Sequence, residues 1–204
     1  LYGLQVQTLF TGAADAMRRA ALGLLATTLK GKDSRLARVA DIACGDGGFL
    51  VDVARAYPAM GDLIGLDMSP AYVRAAQGRL LDRPRVRLIV GDAGALPFPD
   101  ASLDAVTSIY LFHELPPKVR TQVASEIARV LKPGGTFVFA DSLQYGDEPA
   151  LDRLLEAFPK LAHEPYYESY QTTDLKALFD GAGLTAGNMR VAYLTKAMTF
   201  VKVE

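Results

Sequence analysis

The chain has 204 residues, half of them hydrophobic, enough for one well-formed α/β core. A net charge of −1 argues against a nucleic-acid binder, and a lone cysteine, Cys44, rules out an internal disulfide framework and suits the cytoplasm. No apolar run approaches the ~20 residues that cross a membrane, and no signal peptide is visible.

The sequence begins without Met and reads as trimmed or as a fragment. Residues 10–31 carry Ala and Leu at helical spacing and stop at Gly31. Residues 36–43 read as a buried strand and 47–58 as a helix stopped by Pro58. A strand over 62–67 leads to a helix over 69–81, with Ser69 as its cap and Pro70 in its first turn. A strand over 85–92, a Pro-rich loop over 94–102 and a strand over 103–112 follow. Residues 116–132 predict an amphipathic helix with Val119, Val123, Ile127, Val130 and Leu131 on one face. A Pro-Gly-Gly turn at 133–135 precedes a strand over 136–143. Residues 144–171 predict two short helical pieces, and 172–184 a capped helix ending at Gly181 or Gly183. The last twenty residues read as two strands without a helix between them, an antiparallel hairpin added to the sheet. Alternation of strands and helices predicts an α/β fold with a mostly parallel sheet and helices on both faces, and no boundary divides residues 1–204.

The turn "DIACGDGG", residues 41–48, closes the first strand, where open α/β sheets bind ligands. It contains no Lys or Arg, so it is not a P-loop. Gly45 and Gly47 match two glycines of a dinucleotide turn, but the third position is Leu50. Asp41 and Asp46 would repel a pyrophosphate and suit a ligand with a positive group. Asp67 ends the second strand, where a carboxylate accepts from ribose hydroxyls, and Asp92 closes the third, where it can accept an adenine amine. Singly, each acid could equally be a cap or turn residue. Together they describe a ligand with a ribose, a purine and a cationic tail.

"DIACGDGG", "GLDMSP", "GDAGALPFPDASLDAV" and "ARVLKPGGTFVFAD" resemble the successive motifs of the class I S-adenosylmethionine-dependent methyltransferases. The similarity covers roughly residues 36–142 plus the terminal strand pair, and is greatest to the ubiquinone/menaquinone-type small-molecule branch. It implies a Rossmann-like seven-stranded sheet, with 1–31 an N-terminal helical segment, 36–143 the cofactor-binding core and 144–171 a cover for the acceptor site. It implies S-adenosylmethionine as cofactor, with Asp41, Gly45 and Gly47 along the methionine part. Asp67 would bind the ribose, Met68 pack on the adenine, Asp92 and Ala93 read the adenine, and Tyr110 lie beside the sulfonium. Ala43 stands with them at the first small position of the motif Asp-x-Gly-x-Gly-x-Gly, in place of glycine; its methyl is tolerable if the backbone there keeps φ negative.

Methyl transfer needs alignment, and a base only if the acceptor loses a proton. His113 and Glu114 follow the fourth strand, on the acceptor side; His113 either positions the acceptor or takes that proton, or else caps its loop, with Glu114 or His113 bonding nearby backbone. His163, Tyr166, Tyr167 and Tyr170 either shape an acceptor pocket or pack a loop onto the sheet. Phe10, Gly12 and Arg18 either close over the cofactor or belong to an ordinary amphipathic helix. No metal is expected, since the two histidines lack ligand spacing. The predicted activity is methylation of an oxygen or carbon of a small molecule by in-line displacement. The alternatives are a non-catalytic S-adenosylmethionine-binding module and, less compatible with the turn, a nicotinamide oxidoreductase. Neither the acceptor nor the oligomeric state is legible.

Overall fold

The computed structural model of the chain describes residues 14–162 and 164–203. Its strands are β1 (Arg38–Ile42), β2 (Asp62–Asp67), β3 (Val86–Val90), β4 (Leu103–Ile109), β5 (Leu131–Ser142), β6 (Leu184–Ala192) and β7 (Thr195–Lys202). They form one sheet in the order β3-β2-β1-β4-β5-β7-β6. The first five are parallel, and β7 runs antiparallel between β5 and β6. The final hairpin thus enters the sheet through its second strand, leaving β6 at the edge. The fold is the expected Rossmann-like α/β sheet.

Among the described residues the helices are α1 (Ala14–Leu29), α2 (Gly48–Ala56), α3 (Pro70–Arg79), α4 (Pro117–Val130), α5 (Asp152–Ala162), α6 (Tyr167–Gln171) and α7 (Leu175–Asp180). Their starts follow side-chain chemistry: Ser69 Oγ accepts from Tyr72 N (3.3 Å), and Asp174 Oδ1 from Ala177 N (3.0 Å). Alternate strand residues feed two cores, one on each face. Phe137 and Phe139 pack with Phe112, Val123, Ile127 and Phe179, on the face covered by α4 and α7. Val138 and Ala140 pack with Leu24, Leu25, Leu50 and Val53, under α1 and α2.

Two boundaries differ from the sequence reading. β4 ends at Ile109 rather than at 112, because Tyr110 adopts φ 59° and breaks the extended run. Helix α4 ends at Val130, and Leu131 already pairs with Leu103; the next pair is Ala105 with Thr136. Residues 132–135 therefore bulge out of β5, with Gly134 at φ 72° turning the chain. Phe10 and Gly12 lie outside the described residues.

Candidate functional site

The strand order reverses between β1 and β4, and a cavity opens at the carboxyl ends of β1, β2 and β4. Asp41, Ala43, Gly45, Asp67, Tyr110 and Glu114 line it, together with Arg18 from α1, Cys44, Asp46 and Tyr72. This is the crevice in which doubly wound sheets bind ligands. Of the predicted cofactor residues, Gly47, Met68, Asp92 and Ala93 stand off the cavity wall.

The glycine turn is built from left-handed residues at alternate positions: Ala43 (φ 52°), Gly45 (φ 54°) and Gly47 (φ 78°). The expected negative φ at Ala43 is not found. The turn forces it positive because Cys44 N must reach back to Leu66 O (3.0 Å) and Gly45 N to Asp67 Oδ2 (2.9 Å). Left-handed geometry costs a non-glycine residue about 1–2 kcal/mol, and Tyr110 carries the same burden across the cavity. Gly47 has a second reason to be glycine: a Cβ there would lie 3.1 Å from Ala76 Cβ and 3.2 Å from Leu80 Cδ1, where α2 meets α3.

The acids divide by role. Asp41 is buried, and its Oδ1 accepts from Thr107 Oγ1 at 2.6 Å, its register partner on β4. Burial pushes its carboxyl up to about 7; the Thr107 bond opposes this and the charge of Asp67 adds to it. Asp67 clasps the turn from β2, accepting from Gly45 N and from Ser69 N (2.8 Å). Each of its oxygens keeps a lone pair for a further donor. Asp46 pairs with Arg79 (2.6 Å) and caps Gly48 N (3.3 Å). Asp92 is exposed and accepts from Gly94 N (2.7 Å), an Asx turn just beyond β3. Met68 is 76% exposed. Burial raises the Cys44 thiol far above its ordinary range, so it is an inert wall residue.

His113 is buried behind Glu114. Its Nδ1 lies 2.6 Å from Oδ1 of Asp141, a residue with no solvent exposure. Asp141 also accepts from Phe112 N (2.8 Å), His113 N (3.3 Å) and Ser142 N (2.7 Å). Burial alone would lower the His113 pKa. The charge and hydrogen bond of Asp141, with Glu114 and Glu164 beyond, raise it more, to about 9. The sequence reading passed over Asp141, although it carries the same signal as Asp41 and Asp67: an acid closing an apolar strand.

Tyr167 and Tyr170 are fully buried against the His113 ring, with centroids 5.8 and 6.3 Å away. Tyr167 bonds Ser142 Oγ, and Tyr170 donates to Ser142 O at 2.5 Å. They pack the segment onto the sheet and do not face the cavity; Tyr166 is half-exposed. His163 lies outside the described residues. The segment is held by Arg120, buried on the apolar face of α4 and also missed in the sequence. It donates to Phe112 O (2.9 Å), Thr173 Oγ1 (2.9 Å), Tyr166 O (2.8 Å) and Ser169 Oγ (3.0 Å). Of the described acceptor-side residues, the structure brings Glu114 alone to the cavity wall.

Residues 39–135 match the family model for a methyltransferase domain. The chain is 37% identical over 118 residues to a demethylmenaquinone methyltransferase of Lactiplantibacillus plantarum, covering 56% of this chain and 48% of the relative. It is 33% identical over 148 residues to a fatty-acid O-methyltransferase of Mycolicibacterium smegmatis, covering 72% and 52%. The chain spans about half the length of these curated relatives. Human N-acetylserotonin methyltransferase, solved in complex with SAM, superposes with a TM-score of 0.73 at 19% identity, over 98% of this chain and 56% of that one. At that identity the likeness speaks for the fold.

Proposed function

We propose that this chain, which belongs through residues 39–135 to the class I S-adenosylmethionine-dependent methyltransferases, moves the methyl group of that cofactor onto a small molecule. When bound, S-adenosylmethionine supplies an electrophilic methyl on a sulfonium, and its transfer leaves a neutral thioether. The observation that carries the reading is Asp41: a buried carboxylate on the wall of the switch-point cavity, with no cation paired to it among the described residues. A ligand ammonium is the partner it lacks. The turn above it offers close backbone approach and no lysine for phosphate.

The rest of the wall fits the same ligand. Asp67 keeps acceptor capacity for two ribose hydroxyls while holding the turn. Arg18 is the one cation on the described wall and suits the amino-acid carboxylate. Met68 follows β2, and Asp92 and Ala93 lie just beyond β3, the strand paired with it; the adenine would rest between them. Tyr110 would border the sulfonium. A chain with one cysteine, buried as a thiol, suits the cytoplasm.

For the acceptor we favour an oxygen or carbon of a neutral, hydroxyl-bearing ring, as in a quinol, approached in line with the carbon–sulfur bond. The demethylmenaquinone relatives support this, and so does charge: Asp41, Asp46, Asp67 and Glu114 outnumber Arg18 on the wall, even with Asp46 paired to Arg79, and disfavour a carboxylate acceptor. Labelled methyl from S-adenosylmethionine should pass to 1,4-naphthohydroquinone and not to a free fatty acid. Label in the fatty acid would overturn the acceptor class. Binding of S-adenosylhomocysteine with no methyl transfer to any hydroxyl compound would favour a non-catalytic binding module.

A further inference from the structure

Resting on that reading and deepening it, we propose that Glu114 takes the proton of the acceptor's hydroxyl, while Asp141 holds His113 as a fixed donor to the same oxygen. His113 Nε2 and Glu114 Oε1 lie 3.9 Å apart, too far for a hydrogen bond and close enough for one atom to bridge them. A hydroxyl oxygen about 2.8 Å from each closes a triangle on that side with roughly a right angle at oxygen. It would accept from Nε2 and donate to Oε1. Glu114 lines the cavity beside Tyr110, so this oxygen would sit on the side where the sulfonium is expected.

The roles follow from what surrounds each group. Asp141 is saturated by three backbone N–H groups and by Nδ1 of His113. That fixes Nδ1 as a donor and turns Nε2 outward. The charged and titratable groups around the ring are Asp141 on β5, Glu114 and Glu164 on the flanking loops, Tyr167 and Tyr170 on α6, and Tyr110 at the end of β4. Arg120 on α4 is occupied with Phe112 O and the α6 segment. Three carboxylates against one imidazole keep the ring cationic at neutral pH, so it holds no lone pair for a proton. Glu114 is the half-exposed group left to accept one. Burial holds its carboxyl above the usual range, nearer the operating pH, with His113 opposing. The hydroxyl's proton would pass to Oε1 of Glu114 as its oxygen took the methyl that S-adenosylmethionine would supply, with the carbon–sulfur bonding pair left on the neutral thioether.

NMR of the chain tests this without knowing the natural acceptor. The sequence has two histidines, so the His113 ring nitrogens are the ¹⁵N signals lost in His113→Gln. The Glu114 carboxyl is the ¹³C signal lost in Glu114→Gln, a surface change that spares the fold. At pH 7.5 both ring nitrogens should carry protons and Glu114 none, with His113 titrating near 9. With S-adenosylhomocysteine present, millimolar phenol, a neutral hydroxyl donor at this pH, should move both the Glu114 carboxyl and the His113 Nε2 signals. A neutral His113 ring or a protonated Glu114 at pH 7.5 overturns the assignment, as do signals that phenol leaves unmoved. Failure of S-adenosylhomocysteine to bind counts against the methyltransferase reading instead, since the charge states are read without it.

Discussion

Thr107 donates its hydroxyl to Oδ1 of Asp41 at 2.6 Å, across the register pair that joins β1 to β4 at the point where strand order reverses. The bond holds a buried acid in place, and burial favours its protonated form up to about pH 7. The carboxylate that forms above that pH has no cation paired to it among the described residues, and a cationic ligand would stabilise it.

Asp41→Asn keeps the shape and the Thr107 contact while removing the charge. The empty protein should gain about 1–2 kcal/mol at pH 8, the scale of burying a polar group in place of an ionised one. Affinity for S-adenosylhomocysteine should fall at least about 100-fold, about 2.7 kcal/mol. Thermal unfolding and calorimetry at one pH read both effects.

Ala43→Gly removes a strained left-handed alanine. Relief of about 1–2 kcal/mol is offset by about 0.5–1 kcal/mol of extra freedom in the unfolded chain. A net gain below about 1 kcal/mol is expected in chemical denaturation, with cofactor affinity unchanged within a few-fold. A loss of stability would mean that the Ala43 methyl makes contacts worth more than its strain.

The chain should lose stability as pH rises, through two groups. The folded pKa of Asp41 is about 7 against an ordinary 3.8, so the folded state holds the extra proton between these values and stability falls across that window. The folded pKa of His113 is about 9 against 6.5, so its contribution is complete below 6.5 and lost as pH rises through 9. His113→Gln should flatten the unfolding-temperature profile between about pH 6.5 and 9, and Asp41→Asn should flatten it between about 4 and 7. Saturating cofactor should reverse the Asp41 limb, because the bound form needs the carboxylate.

Arg120→Met should cost about 2–4 kcal/mol, because it removes four charge-assisted hydrogen bonds that tie Phe112 and the segment carrying Tyr166, Ser169 and Thr173 to α4. The segment over 144–173 should become the first site of limited proteolysis while the cofactor half stays resistant. Uniform susceptibility along the chain would show that Arg120 supports the whole fold instead.

Much of this was legible in advance, for identifiable reasons. Short apolar runs, Ser69 with Pro70 and the spacing of glycines act within a few residues, so the succession of strands and helices and the place of the turn could be read locally. The acids at 41 and 67 were found because each ends a strand. What escaped depended on distant partners. Ala43 is left-handed because Leu66 and Asp67, on another strand, pull the turn. Arg120 looks like a misplaced charge on an apolar helix face until Tyr166 O and Thr173 arrive beside it. Tyr167 and Tyr170 read equally as pocket or packing, and only their contacts with His113 and Ser142 separate the two.

On the function proposed above, the crevice at the ends of β1, β2 and β4 holds the cationic cofactor of a methyltransferase. Calorimetry of the chain with S-adenosylhomocysteine and with NAD tests it most directly. One site for S-adenosylhomocysteine at micromolar affinity, lost in Asp41→Asn, with no heat from NAD, is the predicted result. Binding of NAD without S-adenosylhomocysteine would contradict it.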